Sequence, residues 1–191
     1  MDHIRGLAGL QYKNAQNWLK TLSGIESRTA FIQMDPKIRS FRTNKLKKWK
    51  QSRGAALFCE GISRRYNQSI DIAIEEDSDY DCMAKWHNQD VEYFTPIQLK
   101  EFVPSNLNQD QNLQDIILSL TKYTDSEDLT VGIYINRKIK IDFKRIKIPR
   151  NLKIGELWFF GCASQDKTKW FLYGDFLKKP FLTYYSCPVT K

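Results

Sequence analysis

The chain has 191 residues, of which 41% are hydrophobic and 13% aromatic. This length and composition predict one folded domain, with room for an N-terminal appendage, and exclude an intrinsically disordered protein. The formal net charge of +8 favours a polyanionic partner, although charge alone is equally compatible with a basic protein that has no such partner.

The cysteines and histidines are too scattered to predict a zinc site. No two cysteines form a CxxC pair, and the whole set is Cys59, Cys82, Cys162, Cys187, His3 and His87. No cationic start leads into an apolar segment, and no apolar run reaches the length of a membrane span. We therefore expect free thiols, a cytoplasmic location and no membrane partner.

The N-terminal region is predicted to be helical at first. Apolar residues between Leu10 and Leu22 recur with helical spacing, and Gly24 is expected to end this helix. Residues 25–36 are expected to form a strand or a loop.

A strongly basic stretch follows at residues 37–53, with eight basic residues and no acid. Interleaved Phe41, Leu46 and Trp49 predict a helical surface with an apolar row. Because like charges repel unless an anion neutralises them, we expect nucleic-acid contact here; the alternative is a solvated helix face. The basic residues are Lys37, Arg39, Arg42, Lys45, Lys47, Lys48, Lys50 and Arg53. We assign residues 1–54 to a basic appendage packed on the core and residues 55–191 to the main domain.

Residues 55–66 predict a buried helix that carries one carboxylate, Glu60, among apolar residues. A buried carboxylate costs several kcal/mol unless a cation, a metal or hydrogen-bond donors stabilise it. Glu60 is therefore a candidate functional residue, and the alternative is an ion pair with Arg64 one turn later.

A strand at residues 69–74 and an acidic turn at residues 75–78 lead into a predicted hairpin, residues 79–101. Folding this hairpin at Asn88-Gln89 places Asp81 opposite Pro96, about one diagonal step from Gln98. Gln98 and Lys100 are two residues apart and therefore lie on one side of a strand. Oxygen ligands beside an ammonium group suit metal-assisted phosphodiester hydrolysis.

The second half of the chain predicts a strand-helix-strand crossover and a further hairpin. Pro96 predicts a bulge or an edge position in the second arm of the first hairpin. Residues 113–123 form an amphipathic pattern and residues 129–135 a buried strand. Residues 157–161 and 170–173 predict a C-terminal hairpin.

A second basic stretch at residues 137–153 alternates like a strand with one apolar and one basic face. We expect it to contact the phosphate backbone as well. The predicted contacts in this stretch are Lys138, Lys140, Lys144, Arg145 and Lys147.

The order of these elements resembles the restriction-endonuclease-like superfamily, the PD-(D/E)xK phosphodiesterases. The resemblance covers residues 55–136: an acid on the first helix, Asp81 on one hairpin arm, Gln98-Leu99-Lys100 on the next, then a helix and a buried strand. It implies an α/β fold in which helices flank a mixed central sheet. It also implies a metal site where the central strands diverge.

The resemblance implies a role for each matching residue. Asp81 corresponds to the main Mg²⁺ or Mn²⁺ ligand, Gln98 to the Glu or Gln ligand and Lys100 to the catalytic lysine. Glu60 corresponds to the acid that many members keep on the first helix. Mg²⁺ prefers oxygen ligands and retains waters, so the Leu99 carbonyl is a candidate third ligand.

The motif also departs from the family pattern. Tyr80 stands where the motif has proline, and a neutral Gln98 removes one negative charge, which lowers the expected metal affinity. Asp79 is a rival for Asp81, because hairpin register is uncertain by a residue or two. Glu60 is a further candidate ligand.

The sequence therefore predicts a metal-dependent nuclease that acts on DNA in preference to RNA, with a homodimer left open. The first alternative is a non-catalytic nucleic-acid-binding module on the same fold. The second is an interaction or inhibitor protein for an acidic partner, since fold alone does not determine function.

Overall fold

The structure is a computed structural model that describes residues 7, 9–35, 38, 43, 46–74 and 80–187. Its centre is a mixed sheet of eight strands arranged in chain order. The strands are β1 (Lys13–Asn14), β2 (Asp71–Ile74), β3 (Cys82–Asn88), β4 (Val91–Phe102), β5 (Ser126–Ile135), β6 (Ile154–Cys162), β7 (Lys169–Gly174) and β8 (Phe181–Ser186). Strands β4, β5 and β6 run parallel, and all other neighbours are antiparallel.

The α-helices whose bounds lie in the described part of the chain are α1 (Ala15–Glu26), α2 (Thr29–Ile32), α3 (Lys47–Tyr66) and α4 (Leu113–Leu118). A 3₁₀ turn, Ser119–Lys122, continues α4, and another spans Phe143–Arg145. Asn67 ends α3 in the left-handed conformation, with φ of 53°. None of the described helices has the length and apolar character needed to cross a membrane.

Alternation along the strands divides the core into two layers. Trp158 and Phe160 of β6 face the layer that contains α1 and α3, whereas Leu157 and Phe159 face the layer that contains α4. In the first layer, α3 buries Phe58 completely. Burying a large apolar side chain stabilises the fold by roughly 1.5–3 kcal/mol, so α3 is held mainly by its apolar face.

The parallel strands need connections that cross one face of the sheet. Helix α4 lies in the connection from β4 to β5, as the strand-helix-strand prediction required. Residues 136–153 connect β5 to β6 without an α-helix, and Ile141, Phe143 and Ile146 pack against the α4 layer.

The mixed α/β class, the first hairpin, the crossover and the C-terminal hairpin are confirmed. Three local predictions were wrong. Residues 25–36 contain the short helix α2, and Gly24 lies inside α1. Residues 137–153 form no strand, because no neighbouring strand pairs with them, and their apolar residues reach the core from an irregular path.

Some predicted residues lie outside the described part of the chain. They are Lys37, Arg39, Arg42, Lys45, Asp79 and the acidic turn at residues 75–78.

Candidate metal centre at the start of the central hairpin

The register of β3 and β4 places Asp81 directly opposite Gln98. Gln89 and Asp90 form the turn, Cys82 pairs with Ile97, and the Asp81 amide donates to the Ile97 carbonyl at 2.9 Å. Met83, not Asp81, lies opposite Pro96. The predicted register was therefore wrong by two residues, and the corrected register shortens the distance between Asp81 and Gln98.

The Asp81 carboxylate contacts two consecutive residues of β4. The Gln98 amide nitrogen and the Leu99 backbone amide both donate to Asp81 Oδ2, the latter at 2.7 Å. β3 begins only at Cys82, so the Asp81 side chain takes the place of a strand partner for Leu99. The Gln98 amide nitrogen also lies 3.3 Å from the Leu99 carbonyl oxygen. These contacts bring the three residues that carry the proposed ligands together, with the Gln98 amide nitrogen towards Asp81.

The orientation of the Gln98 amide is set from its other side by Tyr123. The Tyr123 hydroxyl donates to Gln98 Oε1 at 3.2 Å, and both residues are buried. In this arrangement the amide nitrogen faces Asp81. A ligand role for Gln98 requires the amide to rotate, after which the Tyr123 hydroxyl can accept a hydrogen bond from the nitrogen.

Lys100 is half-buried on the same side of β4 as Gln98. Burial lowers the pKa of the Lys100 ammonium group, the neighbouring Lys122 lowers it further, and the Asp81 carboxylate opposes both effects. A lysine with a lowered pKa is a better candidate for proton transfer near neutral pH than an exposed one.

The first turns of α3 also reach this site. The Gln51 amide donates to Asp81 Oδ1 at 3.2 Å. Next to it, Lys50 pairs with Glu101, which also accepts from Asn136 at 2.7 Å. Gln51 therefore contacts the carboxylate that the family pattern makes the main ligand, and it was missed by sequence analysis.

Glu60 lies elsewhere. It pairs with Arg64 one turn later at 2.8 Å and lines a surface pocket with Asn14 and Ser69. Glu60 and Gln51 are nine residues apart in α3, which places them about 13 Å apart along the axis and on opposite sides of the helix. The structure therefore does not bring Glu60 to Asp81, and the alternative reading, the Arg64 ion pair, describes its contacts.

The groups around Asp81 would hold a hard cation only weakly. Among the residues that the structure describes, no three His, Cys, Asp or Glu side chains lie close enough together to hold a metal ion. Asp81 is accompanied by two neutral groups, the Gln98 amide, whose nitrogen faces the carboxylate, and the Leu99 carbonyl. Mg²⁺ commonly uses one or two carboxylates and keeps several waters, so one carboxylate with two neutral oxygens is at the low end of what it accepts.

The predicted nucleic-acid contacts in the described part of the chain fall into two overlapping groups. Lys50, Arg53 and Arg145 form ion pairs with Glu101, Glu26 and Asp142. The exposed ones are Lys47, Lys48, Lys138, Lys140, Lys144, Arg145 and Lys147. Helix α3 and the 137–153 segment pack on opposite faces of the sheet, so exposed lysines flank it on both sides.

Comparisons of this chain with protein-family models, with curated proteins and with solved structures found no match. The functional assignment therefore depends on the geometry of the site and on the motif.

Proposed function

We propose that this chain is a Mg²⁺- or Mn²⁺-dependent phosphodiesterase with a restriction-endonuclease-like core that cleaves nucleic acid, DNA in preference to RNA. One observation carries the proposal: the Gln98 side chain and the Leu99 backbone contact the Asp81 carboxylate beside the start of β3, and Lys100 lies on the same side of β4 as Gln98. Exposed lysines on both faces of the sheet support a polyanionic substrate.

Asp81, Gln98 and Leu99 would hold the cation, and Gln51 would orient the Asp81 carboxylate. A bound Mg²⁺ ion supplies a water of lowered pKa and neutralises charge on the phosphate. Lys100 has the position and the lowered pKa to orient the attacking water, to accept its proton or to offset negative charge in the transition state.

Cleavage by a Lys100→Ala variant tests the assignment. We expect the cleavage rate of a plasmid or an RNA transcript to fall by about 10²–10⁴, while nucleic-acid affinity changes little. Lys169→Ala on β7 is the matched control, since it removes the same charge away from the site. Equal turnover by Lys100→Ala and wild type would remove Lys100 from the mechanism. No cleavage of either substrate by wild type with Mg²⁺ or Mn²⁺ would reject the enzyme.

A second candidate function is a non-catalytic nucleic-acid-binding module. The orientation of Gln98 favours it, because the amide nitrogen rather than the oxygen faces Asp81. Calorimetric titration of Mn²⁺ into wild type and Asp81→Ala, without nucleic acid, separates the two functions. Weaker Mn²⁺ binding by Asp81→Ala supports the enzyme, and identical titrations favour the module.

A further inference from the structure

A pocket of about 440 Å³ lies beside the candidate metal centre, between α1, the first turns of α3 and strand β2. Its walls include two indole rings, Trp18 and Trp49, stacked with 5.9 Å between ring centroids and 19° between ring planes. Trp49 is 37% exposed. This volume is in the range of small-molecule binding sites.

The charged side chains that line this pocket are all positive. Lys13 and Lys48 line it, and the Lys13 ammonium group lies 4.9 Å from the centre of the Trp18 ring. Ile72 and Ile74 supply an apolar surface, and Gln11 supplies an amide that can donate and accept hydrogen bonds. No carboxylate is among the described residues that line the pocket.

These groups match the parts of a nucleotide. An aromatic face binds any base by stacking, regardless of its sequence identity. Two ammonium groups suit an adjacent phosphate and disfavour a cationic ligand. An uncharged aliphatic ligand would leave the two ammonium groups without a counter-charge, so the aromatic and basic lining together favours a nucleotide.

The pocket and the candidate metal centre share α3, and strand β2 of the pocket is the neighbour of β3 in the sheet. Ser52 lines the pocket and directly follows Gln51, which contacts Asp81. Ile74 also lines it and pairs with Cys82, the residue after Asp81. A strand bound at Asp81 can therefore place a neighbouring nucleotide in the pocket.

We propose that this pocket binds one unpaired nucleobase of a single-stranded nucleic acid, with the base against Trp49 and its phosphate near Lys48 and Lys13. The proposed binding of a base does not require cleavage activity. That the pocket positions substrate for the metal centre rests on the proposed function.

Affinity measured without divalent ions tests this proposal separately from catalysis. Fluorescence anisotropy in EDTA would compare a labelled oligothymidylate of about twelve nucleotides with an abasic backbone of equal length. We expect wild type to bind the oligothymidylate more tightly. Trp49→Ala should weaken oligothymidylate binding about 10-fold and leave abasic binding unchanged. Lys48→Ala should weaken both.

Matched variants separate stacking from loss of structure. Trp86→Ala removes an indole that stacks on Tyr93 outside the pocket, and it should not change the preference for bases. Trp49→Phe should keep most of the preference and Trp49→Leu should lose it, with circular dichroism to compare their folds. Equal effects of Trp49→Ala on both probes, or no preference for bases in wild type, would overturn the proposal. Cleavage assays can fail while this preference persists, and the reverse also holds.

Discussion

In the proposed metal centre, Gln98 would limit how strongly a cation binds. It is buried, it donates to the Asp81 carboxylate, and it accepts from Tyr123. A neutral amide next to Asp81 avoids the repulsion that two carboxylates would suffer. The same neutrality reduces the attraction for a divalent ion, so Gln98 favours a stable metal-free fold at the expense of affinity.

Gln98→Glu should lower the stability of the metal-free fold and raise the affinity for a divalent ion. Without metal, two adjacent carboxylates should lower the free energy of unfolding by roughly 1–3 kcal/mol. With Mg²⁺ or Mn²⁺, affinity should rise and the lost stability should return, because the ion binds the folded state. Thermal unfolding in EDTA and across a Mn²⁺ titration measures both effects.

The double variant Asp81→Asn with Gln98→Glu is the control for this experiment. It retains one carboxylate and one amide at the site, so its stability in EDTA should return toward that of wild type. If Gln98→Glu instead shows unchanged Mn²⁺ dependence, the oxygen-ligand assignment of Gln98 fails.

One physical reason explains why sequence analysis missed two residues of this site. Gln51 and Tyr123 reach Asp81 and Gln98 from α3 and from the turn after α4, across separations of 30 and 25 residues. Neither belongs to a local motif, and only packing against the sheet brings them close. Glu60 was chosen from its apolar neighbours, which did not indicate which side of α3 faces the hairpin.

At the scale of elements, alternation and turn residues predicted where most strands lie but not the register of the first hairpin. The hairpin turn lies at Gln89-Asp90, and Gln89 adopts a positive φ of 55°, which is less usual for Gln than for Asn. This preference explains why the turn was placed one residue too early. A one-residue error at a turn shifts the register by two residues.

The basic segment after β5 shows a different limit of sequence patterns. Alternating apolar and basic residues in the stretch 137–153 predicted a strand, yet the segment is a crossover on the α4 layer. An alternating pattern indicates one buried face, and a strand forms only where a neighbouring strand supplies backbone partners.

Gly24 gives a direct test of the observed extent of α1. It lies inside the helix, and a Cβ built there has no neighbour within 4 Å. Gly24→Ala should therefore raise the free energy of unfolding by about 0.8–1.0 kcal/mol, the difference in helix propensity. Urea unfolding followed by circular dichroism measures the change.

Gly155→Ala provides the contrasting case for that measurement. A Cβ on Gly155 would lie 2.4 Å from the Glu127 carbonyl oxygen, so this variant should lose about 1–3 kcal/mol. A loss of stability in Gly24→Ala would mean that α1 ends before Gly24, as the sequence pattern had indicated.

At the scale of the whole molecule, α1 and α3 pack into the same core as the sheet. Helix α3 runs from Lys47 to Tyr66 and crosses the division between residues 54 and 55 without interruption. Ala15 and Leu19 of α1 belong to the same buried cluster as Phe58 and Ile97. The first turns of α3 also carry Gln51 to Asp81, so fold and site share this segment.

A fragment of residues 55–191 should therefore fail to fold cooperatively. Removing Leu19 and Leu22, which are 6% and 2% exposed, costs about 2–5 kcal/mol for each, against a typical total of 5–15 kcal/mol. A chain that begins at Gln11 keeps α1 and α3 and should unfold in one transition close to that of the full chain. Urea unfolding of both fragments tests this prediction. A cooperative transition in residues 55–191 would show that residues 1–54 are an appendage.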